Sequence, residues 1–219
     1  PGSYTVMLYK YHYKYREQTV TVNPNETSYI NWSLTYAPEQ TLTIQPGAAE
    51  GKDAHVYSNY TSGNFGDVAM LLAGAKASGT YRSYLEFEID SLPEDAVITS
   101  ASLGLYYVHN FPGLAAEIGA YTVQGAWTEY DITWDNQPAF AAVPEYSYTF
   151  PATITYDFRY WYITDLVKGW WDGTITNYGV MLKATDETTE EAWTGFQSSD
   201  YMTAAEHPKL VITYFDPTS

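Results

Sequence analysis

The 219-residue chain contains no cysteine. That excludes a disulfide framework and any thiolate metal site, so stability has to come from core size, bound ions or assembly. Basic residues are scarce too: 10 Lys and Arg stand against 26 Asp and Glu, a formal net charge of −16. This balance works against nucleic acid, whose phosphates are repelled over a Debye length of about 8–10 Å. No apolar run approaches the ~20 residues that cross a bilayer as a helix. The four histidines, His12, His55, His109 and His207, show no H-x-H or H-E-x-x-H spacing, so no zinc motif is present. There is no G-x-S-x-G elbow and no glycine-rich phosphate loop. Neither an initiator Met nor a signal peptide opens the chain, which reads as a processed or excised piece of something longer.

What the chain does hold is aromatic residues, with 23 Tyr and 7 Trp. At that density they suit strands, where aromatic and β-branched side chains fit a pleated surface. The stretch Tyr81 to Tyr107, YRSYLEFEIDSLPEDAVITSASLGLYY, reads as two alternating strands around a proline turn. Leu85, Phe87 and Ile89 fall on the core side, and Tyr84, Glu86 and Glu88 on the solvent side. Further strands are expected at 42–44, 55–57, 68–72, 84–89, 101–108, 117–123, 153–155, 178–183 and 209–215. Turn signals separate them, among them Ser62-Gly63-Asn64, Phe111-Pro112-Gly113 and Asp172-Gly173. One short helix is expected, capped by Thr164-Asp165, running through Leu166, Val167, Trp170 and Trp171, and stopped by Gly173. The fold class is therefore all-β, a jelly-roll-like antiparallel β-sandwich with one short helix.

Residues 1–36 stand apart as an N-terminal three-strand β segment, joined through a linker at 37–40 to a body at 41–219. Three strands bury too little to fold as an independent sandwich. The pattern PGSYTV, TVTVNPNET and INWSLTY resembles the last strands of carboxypeptidase-regulatory-like or PEGA-like repeats. This segment holds three basic residues against two acidic ones, a net of +1, which leaves −17 on the other 183 residues. Its run from Tyr9 to Arg16 alternates Tyr9, Tyr11, Tyr13 and Tyr15 with Lys10, His12, Lys14 and Arg16. Extended, it has one aromatic and one basic face. One reading is an edge strand guarded by lysine. The other is assembly, in which the arm adds to a neighbouring subunit's sheet and its basic face meets the acidic body.

The order of segments in the body resembles the DNRLRE domain family, related to disaggregatase C-terminal regions and to a carbohydrate-binding module family. The matching pieces are DAHVYS and SGNFGDVAMLLAG (Asp53 to Gly74), the Tyr81–Tyr107 stretch, WTEYDITWDNQP (Trp127 to Pro138), DLVKGWWDGTITNYGVMLK (Asp165 to Lys183) and HPKLVITY (His207 to Tyr214). The resemblance implies a secreted or surface-attached β-sandwich that accompanies larger proteins.

Several residues have the chemistry for a site. Trp127, Glu129, Asp131, Trp134 and Asp135 cluster within a few residues, as a glycosidase's paired carboxylates and sugar platform would. The structural reading has the Trp residues sealing one end of the sandwich, with Asp135 and Asn136 bonding the turn before Pro138. A calcium site is the best candidate for metal chemistry, with Asp53, Asn64 and Asp67 on converging loops, although no EF-hand spacing occurs. Trp161, Trp171, Trp193 and Tyr160 are candidates for stacking on glycan. Asn25, Asn31 and Asn59 sit in N-glycosylation triplets. Three functions fit. The first is a non-catalytic extracellular or cell-surface module with adhesive, structural or glycan-binding work. The second is a self-assembling surface filament or sheath subunit using N-terminal strand donation. The third is the accessory domain of a polysaccharide-degrading enzyme. Expected partners are a polysaccharide or neighbouring surface-protein subunits.

Overall fold

The computed structural model describes residues 1–111, 115–188 and 192–218; the Pro112-Gly113 turn signal lies outside them. An N-terminal hairpin pairs β1 (Gly2–Leu8) with β2 (Arg16–Val22). The body comprises β3 (Gln40–Ile44), β4 (Lys52–Tyr57), β5 (Met70–Lys76), β6 (Gly79–Glu86), β7 (Val97–Phe111), β8 (Ala116–Thr122), β9 (Tyr146–Phe150), β10 (Asp157–Tyr162), α1 (Thr164–Trp171), β11 (Val180–Ala184), β12 (Trp193–Gln197) and β13 (Lys209–Phe215). Its eleven described strands form one antiparallel sheet in the order β3-β13-β7-β12-β5-β6-β11-β8-β9, with β10 attached to β7 and β4 to β6. The all-β, sandwich-like class expected from the alternation is what is found. No helix among the described residues is long and apolar enough to cross a membrane.

The sheet curls because β5 and β6 share only a short junction, from Gly74–Tyr81 to Lys76–Gly79. Beyond it β6 pairs instead with β4 and β11. The two halves then face each other across a core. Leu103 and Leu105 of β7, Phe196 of β12 and Leu210 and Ile212 of β13 meet Leu85 of β6, Ile118 of β8 and Val180 and Leu182 of β11. α1 closes this core with Leu166, Val167 and Trp170. Thr164 does not cap it as expected: its Oγ1 accepts from Ala101 N at 3.0 Å and so ties the helix to β7. Gly173, at φ +75°, ends the helix as anticipated.

Tyr84 corrects the assignment of β6's second face to solvent. It is fully buried in a second cluster with Ala54, Val56, Tyr121, Trp127, Ile132 and Met181. The segment from Trp127 to Phe140 folds over that face, anchored by Trp127 Nε1 donating to Tyr178 O and by Tyr84 Oη donating to Gln137. Thr153–Thr155 is not a strand either. Pairing with β8 falls earlier, at β9, and Pro151 follows its last residue. β10 and β12 were not anticipated.

The N-terminal segment also departs from the alternation. Tyr9 to Arg16 is not an extended two-faced strand but a turn, closed by Tyr13 N donating to Lys10 O, with His12 at φ +63°. The Tyr11 and His12 rings pack on Phe215 at 5.1 and 4.6 Å, and Tyr15 N donates to Pro217 O. These contacts are made within the chain. Residues 27–35 pass beside β2 without a backbone ladder, linked by Ser28 Oγ donating to Thr21 O and by Arg16 bonding Ser33 O and Thr35 Oγ1. Ala37, in the expected linker, is buried and donates its N–H to His12 O.

Candidate functional site

Directly opposed residues of an antiparallel pair point to the same side of the sheet. Tyr57 opposes Tyr81, Tyr81 opposes Gly74, Gly74 opposes Trp193, and Trp193 opposes Phe111. One row thus crosses β4, β6, β5, β12 and β7 at the seam where the sheet curls. At about 4.8 Å per strand it spans about 19 Å of backbone. Gly74 leaves a gap in the row, and over it the flanking Tyr81 and Trp193 rings approach to 5.7 Å. Tyr57 stacks on Tyr81 at 4.3 Å, and Phe111, 47 % exposed, lies 5.7 Å from Trp193 and nearly parallel to it. The Lys76 ammonium sits 5.0–5.5 Å from the Tyr57, Tyr81 and Trp193 rings. Among the described residues no carboxylate pairs with it.

β4 links this row to a buried acidic cluster. Asp53, His55 and Tyr57 lie on one side of the strand, so Asp53 is about 13 Å from the row. His55, between them, stacks on Phe65 at 4.5 Å and bonds Met70 O through Nδ1; burial pulls its pKa down to about 4. Asp53 N donates to Glu129 Oε1 and Asp53 Oδ2 accepts from Ser199 N, both at 3.0 Å. Burial lifts the Asp53 carboxyl to about 7; the Ser199 N–H and the nearby Ser199 hydroxyl oppose this, and the Glu129 and Asp200 charges add to it. Burial also raises Glu129 and Asp200.

The family model of carbohydrate-binding module family 96 matches residues 47–214, more than half of the chain. The chain belongs to carbohydrate-binding module family 96. The family 96 match includes the whole aromatic row and the acidic cluster and leaves the N-terminal hairpin outside. No curated protein matches the chain. The module family named in the resemblance is therefore found at the level of a carbohydrate-binding module.

Within this family 96 module the expected stacking residues separate. Trp193 is in the row. Trp161 is 0 % exposed and donates Nε1–H to Ile118 O at 2.9 Å, so it is core and offers no face to a ligand. Trp171 packs against the core and donates to Ala96 O. Tyr160 lies on the outer side of β10 near Phe158 and Lys209, away from the row. Tyr57, Tyr81 and Phe111 were missed, because nothing in sequence spacing aligns residues of four different strands.

Of the expected metal ligands, Asp53 alone joins the buried cluster. Asn64 is already satisfied: Nδ2 donates to Glu129 O and Ile132 O, and Oδ1 accepts from Gly66 N. Asp67 acts on Asp200 through its charge. Of the carboxylates in the glycosidase reading, Glu129 turns inward to Asp53 while Asp131 Oδ2 accepts from Thr128 Oγ1. Asn136 braces the turn before Pro138 as the structural reading has it, accepting from Thr133 N and donating to Asp131 O. Asn25, Asn31 and Asn59 are all exposed.

Proposed function

We propose that this is a non-catalytic, extracellular module that binds a polysaccharide along the row Tyr57–Tyr81–Trp193–Phe111. The observation that carries the reading is the cross-strand register of those rings over one continuous seam. The mutually stacked rings form an apolar strip about 19 Å long, whose outward edges and terminal ring faces suit the C–H faces of several successive pyranose rings. Lys76 supplies a hydrogen-bond donor and a positive charge beside those planes, which orients a hydroxylated or carboxylated chain. Affinity electrophoresis of wild type and Trp193→Ala through gels containing xylan, cellulose derivative or polygalacturonate tests this. Loss of a central aromatic anchor is expected to weaken binding about 30-fold, a change of about 2 kcal/mol. Retained glycan binding in Trp193→Ala and in Tyr57→Ala would place the ligand elsewhere.

A second reading, self-association through the hairpin, is supported by exposed Tyr4, Val6 and Met7 on β1, whose outer edge has no described partner strand. The excess positive charge of this segment against the acidic body favours a second copy as its partner. Deleting residues 1–36 uncovers the buried Phe215 and is expected to lower the body's unfolding midpoint by about 3–10 °C without unfolding it, because its main core is built from later strands. Light scattering of both forms over a concentration series checks association. A wild type that remains monomeric throughout rules this second reading out.

A further inference from the structure

The three carboxylates at the inner end of β4 take no part in the aromatic row. One carboxylate oxygen from each of Asp53, Glu129 and Asp200 lies within 4.8 Å of the others. Asp53 is 4 % exposed, and its Oδ1 has no hydrogen-bond partner among the described residues. Asp200 Oδ2 is likewise shielded and unpartnered. Two acceptor oxygens that make no hydrogen bond thus share one buried cluster of three carboxylates, beside a Ser199 hydroxyl that is also buried without a hydrogen bond, an arrangement that costs free energy unless a cation meets the oxygens. The side-chain charges acting on Asp53 are both negative, Glu129 and Asp200. The basic neighbours are engaged elsewhere: Lys52 Nζ lies 2.6 Å from Glu86, and His207 bonds Pro46 O and Tyr201 O through its two ring nitrogens.

We propose that Asp53, Glu129 and Asp200 bind one Ca²⁺ ion that joins β4 to the 126–136 segment and to the 198–206 segment. The donors are all carboxylate oxygens, the ligands of a hard cation. Ca²⁺ at about 2.4 Å from each oxygen spans such a set, and it tolerates irregular coordination. Mg²⁺ demands near-octahedral geometry at about 2.1 Å and gives up its waters reluctantly. In a chain without cysteine the ion takes the place of a covalent cross-link between three segments far apart in sequence.

Calorimetric unfolding of the full chain, stripped with EDTA and then returned to calcium chloride, tests the site. The midpoint is expected to rise by about 5–10 °C at calcium a hundredfold above its dissociation constant. Titration calorimetry should give one ion per chain and a weaker response to magnesium. Asp53→Asn keeps an acceptor for Ser199 N and removes the charge, so it is expected to lose the calcium shift while melting no lower than wild type in EDTA. A wild-type midpoint that does not move, with no heat of binding at millimolar calcium, overturns the site. A full calcium response surviving in both Asp53→Asn and Glu129→Gln overturns the ligand assignment. An equal response to magnesium overturns the choice of ion.

Discussion

Trp161→Ala is expected to destabilise the module by about 4–5 kcal/mol, the upper range for truncating a buried aromatic. Trp161 is among the largest fully buried side chains, with rings of Phe150, Phe196 and Tyr148 around it at 5.7–6.2 Å. Those three residues belong to both halves of the curled sheet and cannot collapse into the space without moving backbone. The substitution also removes the hydrogen bond to Ile118 O. Trp161→Phe separates the two effects: it keeps most of the volume, loses the N–H, and is expected to cost about 1–3 kcal/mol. Urea denaturation of the three proteins gives the comparison. A loss below about 2 kcal/mol in Trp161→Ala would mean that the core repacks freely around this position.

Gly74→Ala is expected to cost about 3 kcal/mol or more and to weaken glycan binding in the fraction that stays folded. Gly74 has φ +132°, a conformation L side chains rarely adopt. A Cβ there would lie 2.5 Å from Ala192 O and from Trp193 Cα, which are backbone atoms and cannot swing aside. The strand pair has to separate, and with it the approach of Tyr81 to Trp193. Gly173→Ala is the control. It also has positive φ, at +75°, but meets nothing within 4 Å, so only the backbone preference of about 1 kcal/mol is lost. Thermal midpoints combined with gel-shift affinities below the transition measure both consequences. Equal destabilisation by the two substitutions would show that the seam yields to a methyl group.

The alternation in Tyr81–Tyr107 and in Lys209–Phe215 revealed strands because one of their faces is buried in a large core. It did not reveal that Tyr84 is buried too, since the cover comes from a loop more than forty residues later. Alternation misled at Tyr9–Arg16, where a period of two arises without a sheet to pair with; the His12 turn and the Phe215 contact decide that conformation instead. β10, DFRYWY, was obscured by its richness in Trp and Tyr, which reads equally as core or as exposed surface, and β12, WTGFQ, by the glycine that interrupts its short apolar alternation. Trp193 was legible as a stacking candidate from its residue type. The row around it was not, because its register depends on four strand pairings. Asp53 was legible as an acidic loop-flanking residue, whereas Glu129 and Asp200 reach it only through the tertiary fold.

Gln40 opens β3 directly opposite Tyr214 near the close of β13. The body's first and last strands are neighbours, so its ends leave one strand spacing apart, about 4.8 Å. Phe215 in turn pairs with Val97, the first residue of β7, whereas Phe111 closes β7 at its far end. Fourteen residue steps of extended chain place these ends about 45 Å apart along the strand. On the proposed glycan-binding reading, the chain ends of the body mark one pole and the binding row the other. A host protein holding it by Gln40 and Phe215 extends the aromatic row outward by the length of its longest strand, while a loop that accepts it as an insertion has to open by only the width of one strand.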